Sequence, residues 1–208
     1  MSLISDADPS KEYLNEQLAR ASKHGNRDRV IELIAAGADP NAADSGSWTP
    51  LLWSVWSGGS NSCPELIRAG ADISATDSSG NTALHYAVWN GDTEGVRILL
   101  DAGADPAAAN LNGTVPLHCA MRRGGSPTYK EFVEAGIRMI KMLIDAGADI
   151  YEKDLKGRTP MDEIAALYPD IYLKKHRIIE KYAEAAQSKR LKKEDRRRSA
   201  RTGYEFDI

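Results

Sequence analysis

The tetrapeptide Ala-Gly-Ala-Asp occurs four times in this chain, at 36–39, 69–72, 102–105 and 146–149. The first three copies are spaced by 33 residues and the last by 44, so the final interval carries an 11-residue insertion. A second phrase keeps the same step: 49-TPLL-52, 82-TALH-85, 115-VPLH-118 and 159-TPMD-162. Two markers locked to one period of this length call for a stack of similar units. A single such unit cannot bury its apolar face alone, whereas stacked neighbours can.

The stretch 77–109 shows how one unit is written. Leu84, Ala87 and Val88 follow one another at helical spacing until Gly91, and Val96, Leu99 and Leu100 repeat the pattern until Gly103. This predicts two helices of about ten residues each. The segment 104-ADPAAANLNG-113 has the Asp, Pro, Asn and Gly of a turn that passes the chain to the next pair. With these phrases the chain resembles the ankyrin repeat family, whose unit carries a T-P-L-H-x-A phrase and a G-A-D turn. The resemblance spans about residues 15–168. It implies an all-α solenoid of about five helix-turn-helix units, at about 10–43, 44–76, 77–109, 110–153 with the insertion, and from 154 to 169 onward. The opening unit has Glu16 and Gln17 in place of Thr-Pro, which suits a terminal cap facing water. Residues 1–169 are thus read as the repeat domain and 170–208 as a capping helix with a basic tail.

For this family the resemblance implies binding through the turn tips and the adjoining end of the first helices, on a concave surface. Carried over in register, Trp48 falls on a turn tip, as do Asn81, Thr114 and Arg158 in their units. Trp56 and Trp89, 33 residues apart, share one helix-end position, followed by Arg122. The expected protein-binding strip is Trp48, Trp56, Trp89, Asn90, Arg122 and Arg123, with Ser45, Ser79, Leu111 and Arg158 along the tips. Tryptophan and arginine are the types most enriched at binding hot spots, and a patch of them differs from scattered exposed apolar groups. The plainer alternative is that these rings only cover a neighbouring helix. Trp53 aligns with Tyr86 and Cys119, where the family has a core leucine, and is therefore assigned to packing.

His85 and His118, also 33 apart, invite a catalytic or metal reading. The resemblance implies instead a structural hydrogen bond from each to the neighbouring turn backbone. No phosphate-cradling loop, zinc spacing or nucleophile elbow occurs in the sequence. Cys63 and Cys119 are too few for a disulfide framework and read as small core residues. A non-enzymatic protein without metal or cofactor is the expectation. Within the insertion, 124-GGSP-127 reads as a loop and Thr128 as a cap before Glu131, so the second helix of that unit is expected to start early. Tyr129 and Phe132 are either incidental to this growth or form a second contact.

Charge is segregated. Residues 170–208 hold 12 Lys and Arg against 7 Asp and Glu, while 1–169 hold 15 against 23. Pro169 and Asp170 mark a helix start, and Ile171, Ile178, Ile179, Tyr182 and Ala186 form a stripe for packing on the last repeat. Beyond it, Lys189, Arg190, Lys192, Lys193, Arg196, Arg197 and Arg198 make a solvated end or a contact for nucleic-acid phosphates, a nuclear address or an acidic partner. There is no apolar run of membrane-spanning length and no basic-then-apolar leader. The expectation is a cytoplasmic monomer, nuclear where a eukaryotic host reads the tail, or a protein exported without a classical signal, that binds one protein target as adaptor or inhibitor. A nucleic-acid-associated regulator working through the tail is the alternative.

Overall fold

The computed structural model describes residues 9–58, 60–124, 130–167 and 177–192. The 125–127 loop, the Thr128 cap, Tyr129, the helix start at Pro169 and Asp170, Ile171, Lys193, Arg196, Arg197 and Arg198 lie outside these residues, as do the side chains of Arg123 and Phe132. The regular elements are helices joined by turns: α1 (Pro9–Lys23), α2 (Arg27–Ala35), α3 (Pro50–Trp56), α4 (Cys63–Arg68), α5 (Ala83–Asn90), α6 (Thr93–Asp101), α7 (Pro116–Gly124), α8 (Lys130–Ala146) and α9 (Pro160–Leu167). A final helix covers 177–192. Among the described residues there is no strand, and a single bridge joins Thr76 to Thr82.

The repeated phrases are the start and stop signals of these helices. Thr49 precedes α3 in an extended conformation, its hydroxyl accepts the Leu52 N–H, and Pro50 fills the first helical position, where a missing N–H costs nothing. Each Ala-Gly-Ala-Asp closes a second helix. In α6 the Gly103 N–H donates to the Leu100 carbonyl and the Ala104 N–H reaches back to Leu99, the two bonds of a Schellman stop, with Gly103 at φ +95°. The same pair of bonds recurs at Gly37, Gly70 and Gly147. The Asp that ends the phrase then turns the chain, its carboxylate accepting the N–H two residues on at Asp39, Asp72, Asp105 and Asp149.

The first helices pack in chain order, α1 on α3, α3 on α5, α5 on α7 and α7 on α9, while α2, α4, α6 and α8 form a second layer in the same order. Leu18, Leu33, Leu51, Leu52, Leu66, Leu84, Leu99, Leu117 and Leu143 are fully buried between the layers. Each such side chain contributes about 2 kcal/mol of transfer free energy. The insertion lengthens α8 to 17 residues against 9 in α6, as the early start predicts. The final helix buries Ile179 and Ala186, and the Tyr182 hydroxyl donates to Asp145 Oδ2 at 2.7 Å. Ile178 does not join that stripe and is 64% exposed. Residues 179, 182 and 186 share one helical face, and position 178 is rotated about 100° away from it.

Candidate protein-binding face

Four acidic or amide side chains, each at the head of a turn tip, shape this face. Asp44, Asp77, Asn110 and Asp154 stand 33, 33 and 44 residues apart. The Oδ1 of each accepts two backbone N–H groups, two and four residues on: Gly46 and Trp48, Ser79 and Asn81, Asn112 and Thr114, Lys156 and Arg158. The tips are thereby fixed by hydrogen bonds within the chain itself. The signal for these four was present in the 33-residue register, but they lie outside both marker phrases.

In the three acids the second oxygen is left to hold a side chain of the face. Asp44 Oδ2 accepts the Trp53 indole N–H at 3.1 Å, Asp77 Oδ2 accepts the Tyr86 hydroxyl at 2.5 Å, and Asp154 Oδ2 accepts the Arg158 guanidinium at 2.7 Å. Burial raises the Asp77 and Asp154 carboxyls, and these hydrogen bonds outweigh it and hold both below the usual aspartate value. Burial and the same bond to Asp77 push the Tyr86 phenol upward.

This geometry corrects the assignment of Trp53. Its indole N–H requires an acceptor, Asp44 supplies one on the outer side, and the ring is half-buried on the face rather than packed in the core. Trp48, expected as an outward tip, lies between Trp53 and Tyr86, with ring centroids 4.5 and 4.9 Å away. Trp56 meets the Trp48 and Trp53 rings edge-on at 5.9 and 5.6 Å. Trp48, Trp53, Trp56 and Tyr86 are one aromatic cluster. Trp56 is 46% and Trp89 61% exposed. Asn90 lies between these two positions and ties helices together, its amide N–H donating to the Val55 and Trp56 carbonyls at the end of α3.

Toward α9 the face becomes charged. Arg122 and Arg158 converge on Glu163 Oε1, at 3.0 and 3.4 Å, and Arg158 also holds Asp154. Both carboxylates are buried while both guanidiniums stay partly open to solvent, so the arginines are pre-positioned, with their charges balanced locally by Glu163 and Asp154. Glu163 was not legible as part of the face, although it stands 44 residues after Cys119 and so in its register. Leu111 is exposed at its tip, as is Leu155 at the equivalent point of the next tip. Ser45 and Ser79 are exposed tip residues, and the Ser79 carbonyl accepts the Leu111 N–H.

The histidines are structural. His85 Nδ1 accepts the Thr82 N–H at 3.2 Å, which puts its proton on Nε2, 2.9 Å from the Thr114 carbonyl of the following tip. His118 repeats this with the Val115 N–H and the Arg158 carbonyl. Cys63 and Cys119 are buried, and burial raises both thiols to about 11, out of the range of a reactive thiolate. Among the described residues no group of three or more His, Cys, Asp or Glu could hold a metal ion, and no helix is long and apolar enough to cross a membrane. In the final helix Lys189 and Lys192 are exposed, whereas Arg190 is half-buried with its guanidinium against Gly147 at the end of α8.

A family model for ankyrin repeats, three copies, matches residues 18–110 and, overlapping it, 63–154. Comparison with curated proteins finds no match to this chain.

Proposed function

Since the chain belongs to the ankyrin repeat family, we propose that it is a non-enzymatic binding module that docks one protein target through the face running from Trp48 to Arg158, as an adaptor or an inhibitor. Ankyrin repeats are in general protein-interaction modules. The observation that carries the reading is the pair of large exposed indoles, Trp56 and Trp89, set at one repeat position, with Trp56 the exposed member of the aromatic cluster and two pre-positioned arginines on the same face. Each tip is already hydrogen-bonded, so docking orders little chain and the anchors contribute directly to affinity. The module acts inside the cell as a monomer in this reading.

A pull-down from the native cell, wild type against Trp56→Ala/Trp89→Ala, tests it. Hot-spot indoles are each worth about 2 kcal/mol or more, so the double variant should lose the partner while its melting temperature stays within about 3 °C. Retention of the partner, or collapse of the fold, returns both rings to a packing role. The exposed Lys189 and Lys192 keep a second arm in the experiment. A partner lost on deleting 188–208, with affinity falling steeply as salt rises, would favour a polyanion held by the tail.

A further inference from the structure

One element of the aromatic cluster already holds a cation. The Lys23 ammonium, from the end of α1, stands 4.3 Å from the Trp53 ring centroid and 5.8 Å from that of Trp56. A cation within about 6 Å of an indole centroid is attracted by the ring quadrupole. Trp48 packs on Trp53 with ring centroids 4.5 Å apart, and Lys23 stands over the same indole. Beside it opens a cavity of about 450 Å³, lined by Trp53, by the acidic Glu12, Glu16 and Asp44, and by two cations, Arg20 and Lys23 itself. Glu12 and Glu16 are one helical turn apart on α1 and exposed. Asp44 is engaged with the tip and the Trp53 N–H, so its charge stays fixed at the cavity edge.

We propose that this cavity receives a lysine or arginine side chain from a basic segment of the partner protein, placed over Trp53 where Lys23 now sits. The inference rests on the protein-docking reading above and names the partner's chemistry. An indole face attracts cations, and once Lys23 has moved out the cavity sets Glu12, Glu16 and Asp44 against Arg20 alone, a net negative charge that disfavours phosphate and favours a basic peptide. Residues 1–169 as a whole carry 23 acidic against 15 basic side chains, which attracts the same partner from a distance. Lys23 is exposed at a helix end, so it can swing into solvent when another cation arrives.

The test uses the full chain with Trp89→Phe, so that the emission comes from the three clustered tryptophans. The probe is a hexapeptide of alternating glycine and arginine, with a glycine–glutamate hexapeptide and free arginine as comparisons. The arginine peptide should give a saturable change in emission and the glutamate peptide none. Lys23→Ala removes the internal competitor and should tighten the arginine peptide by about threefold to tenfold, the range expected for one cation–π contact. Glu12→Gln/Glu16→Gln should weaken it by a similar factor, and added salt should weaken it further. A Lys23→Ala variant that binds no better than wild type overturns the proposal, as does equal binding of the glutamate peptide. Free arginine binding as tightly as the hexapeptide would make this a small-cation site and also overturn it. The two readings fail separately: a partner lost with Trp56→Ala/Trp89→Ala but unchanged in affinity by Lys23→Ala keeps the docking face and removes the basic segment.

Discussion

His85 couples two neighbouring units through one neutral imidazole, accepting at Nδ1 and donating at Nε2. A second proton would take away the acceptor, and burial lowers its pKa below the ordinary 6.5. The unfolded chain therefore takes up a proton at about 6.5 that the folded chain resists, so stability is flat above that value and falls as pH drops beneath it. The depressed Asp77 and Asp154 carboxyls act in a separate window, below about 3.8. Urea unfolding of the wild type should show a falling midpoint from pH 7.5 to 5. His85→Gln should cost about 1–3 kcal/mol at pH 7.5 through unsatisfied buried partners, and its midpoint should fall less over the same interval. An equal fall in both would place the effect elsewhere. The role of His85 was readable from its place in the repeated phrase. That of Trp53 was not, because register fixes a position along a helix while the acceptor on Asp44 decides which way the ring turns. Lys23 could not be read either, since it reaches the cluster from α1, 30 residues away in sequence.

Between elements, the turn tips form a ladder in which each backbone nearly touches the next. The Leu111 N–H donates to the Ser79 carbonyl and the Leu155 N–H to the Asn112 carbonyl, both at 3.0 Å. Gly80 and Gly113 stand where these tips meet, at φ +78° and +72°, and a Cβ on Gly113 would lie 2.7 Å from the Leu155 nitrogen. Gly157 has the same turn position and φ +76°, with nothing within 4 Å. Gly157→Ala should then cost only the left-handed penalty of about 1 kcal/mol, whereas Gly113→Ala adds a backbone collision and should cost about 2–4 kcal/mol. Chemical denaturation of the two variants checks the difference, and equal costs would mean that the tips separate freely. Ser47 occupies this position in the first tip, at φ +63°, and no described backbone bond joins Gly46 to Ser78 there. Helices and turns were legible because capping and stop residues are local signals. The ladder was not, since a serine and a glycine read alike as turn residues until the neighbouring backbone is in place.

At the scale of the whole molecule, the principal contacts join only adjacent helix pairs, so stability is a sum of local and nearest-neighbour contributions. The order of the stack followed from the period alone, while the seating of the final helix over α8 depended on side chains outside the repeat, such as Tyr182 on Asp145. The tryptophans sample only one end of this stack: Trp48, Trp53 and Trp56 at α3 and Trp89 on α5. Helical circular dichroism samples all of it. Removing residues 177–208 uncovers the seats of Ile179 and Ala186 and breaks the bond to Asp145, leaving every contact among α1 to α6 in place. In a fully cooperative fold both signals would shift together on truncation. With nearest-neighbour coupling, the dichroism transition should broaden and begin at lower denaturant, while the tryptophan midpoint moves by less than about a third as much. Hydrogen exchange resolves the same question by position: amides of α7 and α8 should lose protection on truncation while those of α3 and α5 keep theirs. Coincident transitions, with protection lost evenly along the chain, would show that the closing helix stabilises the aromatic cluster at the far end of the stack.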